Sequence, residues 1–177
     1  MYEIDTPFAS GSQEQSEIDA TVAQMLTEAA LPAAHGLRIT EIFFSLQGET
    51  SRVGLPTVFI RLTGCPLRCS YCDTAYAFTG GRTLAITEIL RQVAQYAPRY
   101  VTVTGGEPLA QKNCLPLLKA LCDAGYRVSL ETGGALDISA VDIRVMRVVD
   151  IKTPASGEME KNRWDNLNQL LPQDEIK

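Results

Sequence analysis

Thr57-Val58-Phe59-Ile60-Arg61-Leu62-Thr63 runs directly into Gly64-Cys65-Pro66-Leu67-Arg68-Cys69-Ser70-Tyr71-Cys72. Apart from Arg61, the first seven residues are β-branched, aromatic or aliphatic, the composition of a strand. Gly64 ends that strand, and three cysteines follow with three and then two residues between them. A strand that stops at a loop of potential metal ligands points to a site at the carboxyl end of a parallel sheet.

Outward from this stretch, short apolar runs recur at Ile39 to Phe44, Tyr100 to Thr104, Arg127 to Leu130 and Val145 to Ile151, and read as strands. Helical periods lie at Ile86 to Tyr96, at Leu115 to Ala124 before Gly125, and at Trp164 to Leu171 before Pro172. Strands alternating with helices predict an α/β fold with a parallel sheet and right-handed crossovers. The unusual residues all follow strands: the cysteine loop after Thr63, Gly105-Gly106-Glu107-Pro108 after Thr104, Glu131-Thr132-Gly133-Gly134 after Leu130, and Lys152-Thr153-Pro154 after Ile151. One site built from four strand ends is the expectation. Residues 1–36 read as a separate polar, acidic arm. It carries one amphipathic helical stripe (Ile18, Val22, Met25, Leu26) before Pro32, suited to pack on its own domain or on a second subunit. Residues 37–177 form the domain proper.

With 177 residues and 45% hydrophobic content, the chain is long enough for one domain with its own core. Its 16 basic and 21 acidic residues give a net charge of -5. No run of Lys or Arg could follow a phosphate backbone, so nucleic acid is not an expected partner. No apolar stretch approaches the ~20 residues that span a bilayer, and the first residues lack the basic start of a secretory signal. The expectation is a cytoplasmic protein without a membrane partner. Five cysteines in a reducing compartment point to metal or redox use ahead of disulfides.

The spacing of Cys65, Cys69 and Cys72 lets one loop wrap three thiolates around one face of an iron-sulfur cubane, leaving one iron open. A structural zinc site competes with this reading, but zinc takes four Cys or His ligands and the fourth is hard to find. His35, the only histidine, lies in the polar arm. Cys114 and Cys122 fall on a helical pattern, where free cysteine packs as a small hydrophobe.

Cys65-x3-Cys69-x2-Cys72, with Tyr71 before the last cysteine, resembles the signature of the radical S-adenosylmethionine superfamily, and Gly105-Gly106-Glu107-Pro108 resembles its second motif. A narrower resemblance is carried by Phe43-Phe44-Ser45-Leu46-Gln47-Gly48-Glu49, by Gly54 through Cys65, by Cys72-Asp73-Thr74, by Glu131-Thr132-Gly133 and by Asp150-Ile151-Lys152-Thr153-Pro154. These segments are similar to the 7-carboxy-7-deazaguanine synthase family of queuosine and 7-deazapurine biosynthesis, over nearly everything from Arg38 onward. The resemblance implies a partial, open TIM-like (βα) barrel and a lyase reaction. In it, 6-carboxy-5,6,7,8-tetrahydropterin becomes 7-carboxy-7-deazaguanine with loss of ammonia, through the radical made when S-adenosylmethionine is cleaved on a 4Fe-4S cluster.

The same resemblance implies the site. Cys65, Cys69 and Cys72 hold the cluster, and Thr74 holds Mg2+, with Asp73 in support. Tyr71, Gly105, Gly106, Glu107, Thr132 and Lys152 contact S-adenosylmethionine. Gln47, Glu49, Arg61 and Thr104 contact the pterin, with Arg61 on its carboxylate. No side chain is expected to serve as acid or base, because the cofactor supplies the reactive species. An external electron donor such as a flavodoxin and a homodimer complete the expectation. Two departures stand out. Relatives read Gly-Glu-Gly where this chain has Gly48-Glu49-Thr50, and they continue past Glu175-Ile176-Lys177 with another apolar strand and helix. Competing functions are an activase that makes a glycyl radical on a partner protein, an electron-transfer iron-sulfur module, which would want four cysteine ligands, and a zinc-stabilised binding protein.

Overall fold

The structure, a computed structural model, describes residues 11–27 and 36–177. Outside α1 (Gly11–Thr27), arm residues 1–10 and 28–35, Pro32 and His35 among them, lie beyond the described residues. The elements that follow are β1 (Gly36–Leu46), β2 (Pro56–Leu62), β3 (Arg82–Ala85), α2 (Ile86–Ala94), β4 (Tyr100–Gly105), α3 (Cys114–Asp123), β5 (Arg127–Thr132), β6 (Met146–Val149) and β7 (Glu175–Ile176). The strands form one open sheet in the order β3-β1-β2-β4-β5-β6-β7.

From β2 to β7 every neighbouring pair is parallel, while β1 runs antiparallel to both β2 and β3. The sheet is therefore mixed, parallel where strands alternate with helices as the sequence suggested and antiparallel at β1. The reason is the short link between β1 and β2, which carries no helix and closes as a hairpin through Gln47 N to Leu55 O (2.9 Å) and Gly54 N to Gln47 O (2.8 Å). Antiparallel strands can join by such a tight loop, whereas parallel ones need a long crossover. The expected helix at Trp164 to Leu171 is instead a 3-10 turn over Trp164–Gln169. Two Asn and one Asp there favour local side-chain bonds over a helix. Asn166, fully buried, spends its amide on Gly134 O (3.1 Å) and Leu136 O (2.8 Å).

Strand alternation divides the sheet into two unlike faces. Val58, Ile60, Leu62, Val101, Val103, Val128 and Leu130 join one core cluster with Ile89, Leu90, Val93 of α2 and Leu117, Leu118, Leu121 of α3. Ile18 and Val22 of α1 belong to the same cluster. On the opposite face, beside Phe59, stand Arg61, Thr102, Thr104, Ser129 and Glu131, a polar set unusual for parallel strands, which are commonly apolar on both sides. Thr102 and Ser129, both buried, bond to each other at 2.9 Å.

Beyond β6 the chain returns to the sheet through a buried ion pair. Asp174 accepts from Arg147 Nε and Arg147 N (each 2.7 Å) and from Leu171 N (2.8 Å). Arg147 Nη2 lies 2.5 Å from the same carboxylate but off the line of a hydrogen bond. β7 follows at once, pairing Val148 with Glu175 and Val149 with Ile176. No helix among the described residues is long and apolar enough to cross a membrane.

Candidate active site

The polar face of the sheet and the loops at its carboxyl edge enclose a cleft of about 630 Å³. Every site residue expected from the sequence lines it: Cys65, Cys69, Tyr71, Cys72, Thr74, Gly105, Gly106, Glu107, Thr132, Lys152, Gln47, Glu49, Arg61 and Thr104. Four strand ends meet there as anticipated, and the β1–β2 hairpin adds a fifth wall from the opposite edge of the sheet.

The cysteine loop is fixed by its own backbone and by Arg68. That guanidinium donates to Cys65 O (2.7 Å) and Leu67 O (2.6 Å) and lies 4.2 Å from the Phe78 ring centroid. Ser70 docks the loop on the segment after Lys152, through its N to Ser156 O (2.9 Å) and its Oγ to Ala155 O (2.6 Å). All three thiols are free and partly exposed. Burial pushes the Cys65 thiol up, and Glu107, Cys69 and Cys72 add to the rise; burial does the same for Cys69, against the pull of Lys152. Thiolates brought to one centre repel one another, a cost that a cationic iron centre removes, and three free cysteines on one loop fit an iron-sulfur cluster as a donor set. The three sulfurs are nonetheless not drawn into a ready metal cage among the described residues. Cys114 lies in the core and Cys122 packs against it, half-buried, with its thiol pushed up to about 11 by burial.

The Gly105-Gly106-Glu107 turn is held against the cysteine loop with no room to spare. Gly106 N donates to Leu62 O (3.1 Å) and Glu107 N to Gly64 O (2.8 Å). A Cβ on Gly106 would stand 2.2 Å from Gly64 O, and one on Gly105 2.4 Å from Leu62 O. Glu107, fully buried, accepts from Leu109 N (3.0 Å) and Gly133 N (2.7 Å), and Thr132 Oγ1 lies 2.9 Å from both its oxygens. Burial pushes this carboxyl up against the pull of those donors and of Lys152. Lys152 Nζ bonds Asp150 at 2.7 Å beside Cys69, and Asn162 pins the Lys152 backbone through both its N (2.9 Å) and O (2.8 Å). Next to the cysteines, Thr74 Oγ1 donates to Asp73 at 2.7 Å, two hard oxygens of the kind Mg2+ prefers.

On the other wall the amide of Gln47 is consumed by the protein. Its oxygen accepts from Gly48 N (2.9 Å) and Glu49 N (3.2 Å), and its nitrogen reaches Thr102 Oγ1 (3.2 Å) and Glu131 (3.4 Å). Thr104 donates to the other oxygen of Glu131 at 2.9 Å. Glu49 pairs with Lys177 at 2.5 Å. Thr50 has φ +67°, a left-handed conformation costly for a β-branched residue. The turn is braced by Ser51 N donating to Glu175 (3.0 Å) and Arg52 N donating to Thr50 Oγ1 (3.2 Å). Arg61 Nε donates to Glu41 at 2.7 Å, and Tyr76 OH donates to the same oxygen at 2.8 Å. Burial pushes the Glu41 carboxyl up, but these two donors outweigh it and hold it below its ordinary value.

Sequence reading gave no role to Glu131 or Asp150 and missed Glu41, although all three line the cleft or touch residues that do. For Glu131 the available signal was alternation: Val101-Thr102-Val103-Thr104 and Val128-Ser129-Leu130-Glu131 put a polar residue at every second position of strands expected to be buried.

The profile of the radical SAM superfamily matches residues 59–148. The chain is 47% identical over 143 residues to 7-carboxy-7-deazaguanine synthase from Koribacter versatilis, covering 80% of this chain and 63% of that one. It is 48% identical over 139 residues to the enzyme of the same name from Chlorobaculum tepidum, covering 78% and 63%. With that from Thermoplasma acidophilum it shares 39% identity over 141 residues, covering 78% and 68%. The chain thus spans just under two thirds of the length of the first two relatives. The crystal structure of QueE from Escherichia coli shares the fold, with a TM-score of 0.62 at 24% identity over 80% of this chain and 81% of that one. Sequence identity at this level, together with the superfamily match, means that the chain belongs to the radical SAM superfamily and, within it, to the 7-carboxy-7-deazaguanine synthase family.

Proposed function

We propose that this chain converts 6-carboxy-5,6,7,8-tetrahydropterin to 7-carboxy-7-deazaguanine with release of ammonia. The observation that carries the proposal is one cleft in which the cysteine loop and the Gly105-Gly106-Glu107 turn face Arg61, Thr104 and Glu131 across the polar sheet face. When bound, a 4Fe-4S cluster and S-adenosylmethionine supply a 5'-deoxyadenosyl radical; the residues supply everything else.

Cys65, Cys69 and Cys72 hold the cluster. The turn at Gly105 and Gly106 lets backbone come close to the methionyl part of S-adenosylmethionine, and Glu107 accepts from its amino group. Thr132 stands near the ribose and Tyr71 at the cleft mouth, while Lys152 offsets carboxylate charge. Arg61 binds the substrate carboxylate through its terminal nitrogens, which have no hydrogen-bond acceptor among the described residues. Gln47, tied to the hairpin and to Glu131, takes up the backbone N–H groups of Gly48 and Glu49 and so turns their carbonyls toward the pterin edge, and Thr104 holds Glu131 toward it. Exclusion of water by these walls protects the substrate radical. Thr74 would hold Mg2+ through its hydroxyl oxygen, a hard donor of the kind this cation takes. An external one-electron donor such as a flavodoxin, a homodimer and a cytoplasmic location belong to the same proposal, on the strength of the family.

The test is anaerobic reconstitution with iron and sulfide, then reductant, S-adenosylmethionine, Mg2+ and carboxytetrahydropterin, with mass detection of 7-carboxy-7-deazaguanine. S-adenosylmethionine cleavage with no deazaguanine at saturating pterin would refute the substrate assignment.

A further inference from the structure

β1 changes face part-way along. Leu37 and Ile39 point into the core, so a regular strand would put Glu41 there too. Instead the register with β2 shifts between Ile39 and Glu41, a bulge at Thr40. Past it Ile42 packs on the core and Glu41 and Phe43 face the cleft side. Bulges re-aim side chains in this way and recur beside active sites. Here the bulge sets Glu41 directly opposite Arg61 across the antiparallel pair.

Around Arg61 the result is a clamp. Glu41 takes the Nε edge at 2.7 Å and is itself held by Tyr76 OH at 2.8 Å. The guanidinium carbon lies 5.8 Å from the Phe43 ring centroid and 5.9 Å from that of Tyr76. One edge and the flanking rings are thereby occupied, which leaves the terminal nitrogens toward the cleft. We propose that Glu41 is a positioning residue that orders Arg61 before the substrate arrives, and so sets the preference for a carboxylated over an uncarboxylated pterin. This rests on the reading of Arg61 as the carboxylate's partner.

Two effects of Glu41 oppose each other. Its charge repels an incoming carboxylate, an effect weakened by solvent because its side chain is 38% exposed. Its geometry spares the complex the cost of freezing a rotamer-rich side chain. Substitutions separate them: Glu41→Gln keeps an acceptor oxygen and removes the charge, while Glu41→Ala removes both.

The experiment is equilibrium binding of two fluorescent probes, 6-carboxypterin and pterin, to the reconstituted full chain with S-adenosylmethionine present. The wild type should prefer 6-carboxypterin, and Arg61→Ala should weaken its binding ~30-fold or more. Glu41→Ala should bind 6-carboxypterin ~2- to 12-fold more weakly than Glu41→Gln, the cost of ordering one long side chain. Both variants should bind pterin alike. If the Ala variant does not fold, Glu41→Asn, neutral like Gln but one methylene too short to reach Arg61, takes its place with the same expectation. Equal 6-carboxypterin affinity for Glu41→Gln and the shortened variant, with Arg61→Ala still impaired, overturns the clamp and leaves the reading of Arg61 standing. A wild type that binds both probes equally overturns the reading of Arg61 itself.

Discussion

Gly106→Ala tests whether the two motif loops must interlock. The added Cβ would lie 2.2 Å from Gly64 O, 2.6 Å from Gly64 C and 2.8 Å from Cys65 Cβ. Two of these three atoms are backbone and the third is the first atom of the Cys65 side chain, so no rotamer change relieves the overlap. Regaining even a tight contact requires the loops to part by about 1 Å. That stretches Gly106 N to Leu62 O from 3.1 Å and Glu107 N to Gly64 O from 2.8 Å, beyond or to the edge of hydrogen bonding. Two buried backbone bonds lost or strained amount to about 2 to 4 kcal/mol. Urea unfolding of the variant should show a loss of that size, and the reconstituted protein should hold less iron and bind S-adenosylmethionine more weakly. Gly48→Ala is the control for stability, since a Cβ there meets nothing within 4 Å. A Gly106→Ala protein that unfolds within about 0.5 kcal/mol of the wild type and keeps its iron would refute the argument, because a clash of this kind has no inexpensive escape.

Replacing Cys65, Cys69 or Cys72 with Ala should each abolish iron retention after reconstitution, whereas Cys122→Ala should retain it; full iron in the Cys69 variant would remove the ligand assignment. Asp174→Asn leaves Arg147 buried without its counter-charge, and breaking such a pair costs about 3 to 5 kcal/mol, readable by urea unfolding. Asp142, held at about 2 by the hydrogen bonds that the Arg144 side chain and backbone donate, is a depressed carboxyl. Its stabilisation is complete above the ordinary carboxylate value of 3.8 and lost as pH falls toward about 2. The stability gap between wild type and Asp142→Asn should therefore close over that interval, and a constant gap would mean that the Arg144 bonds do not matter to folding.

The strand ends of the cleft were legible because each carries a local signature: thiols at ligand spacing, paired glycines after a strand, a lysine where a strand stops. Arg61 was legible as a lone charge in an apolar run. Its partner was not, because Glu41 belongs to the cleft only through the bulge at Thr40, and a period-two reading of Leu37, Ile39 and Glu41 sends all three to one face. The antiparallel course of β1 was hidden for a related reason. A run of strand-forming residues carries no direction, and direction is fixed by the hairpin closing at Gln47 and Gly54. β3 is four residues long and half exposed, too short for any periodicity to declare it. At Trp164 the pattern suggested a helix, yet Asn166 is committed to carbonyls of the 134–136 loop, a tertiary bond that no local window contains.

The unlike faces of the sheet have a thermodynamic consequence. Apolar burial, the main driving force of folding, is gathered on the side of α1, α2 and α3. The side carrying Thr102, Thr104, Ser129 and Glu131 spends its side chains on mutual hydrogen bonds, whose net contribution is small. That side draws its remaining stability from whatever fills it. A ligand confined to the folded chain adds about 2.7 kcal/mol at a hundred times its dissociation constant, a large share of the 5 to 15 kcal/mol that a domain ordinarily has. Melting temperature in this protein is thus a titratable quantity, and cleft occupancy can be followed by heating alone, without turnover.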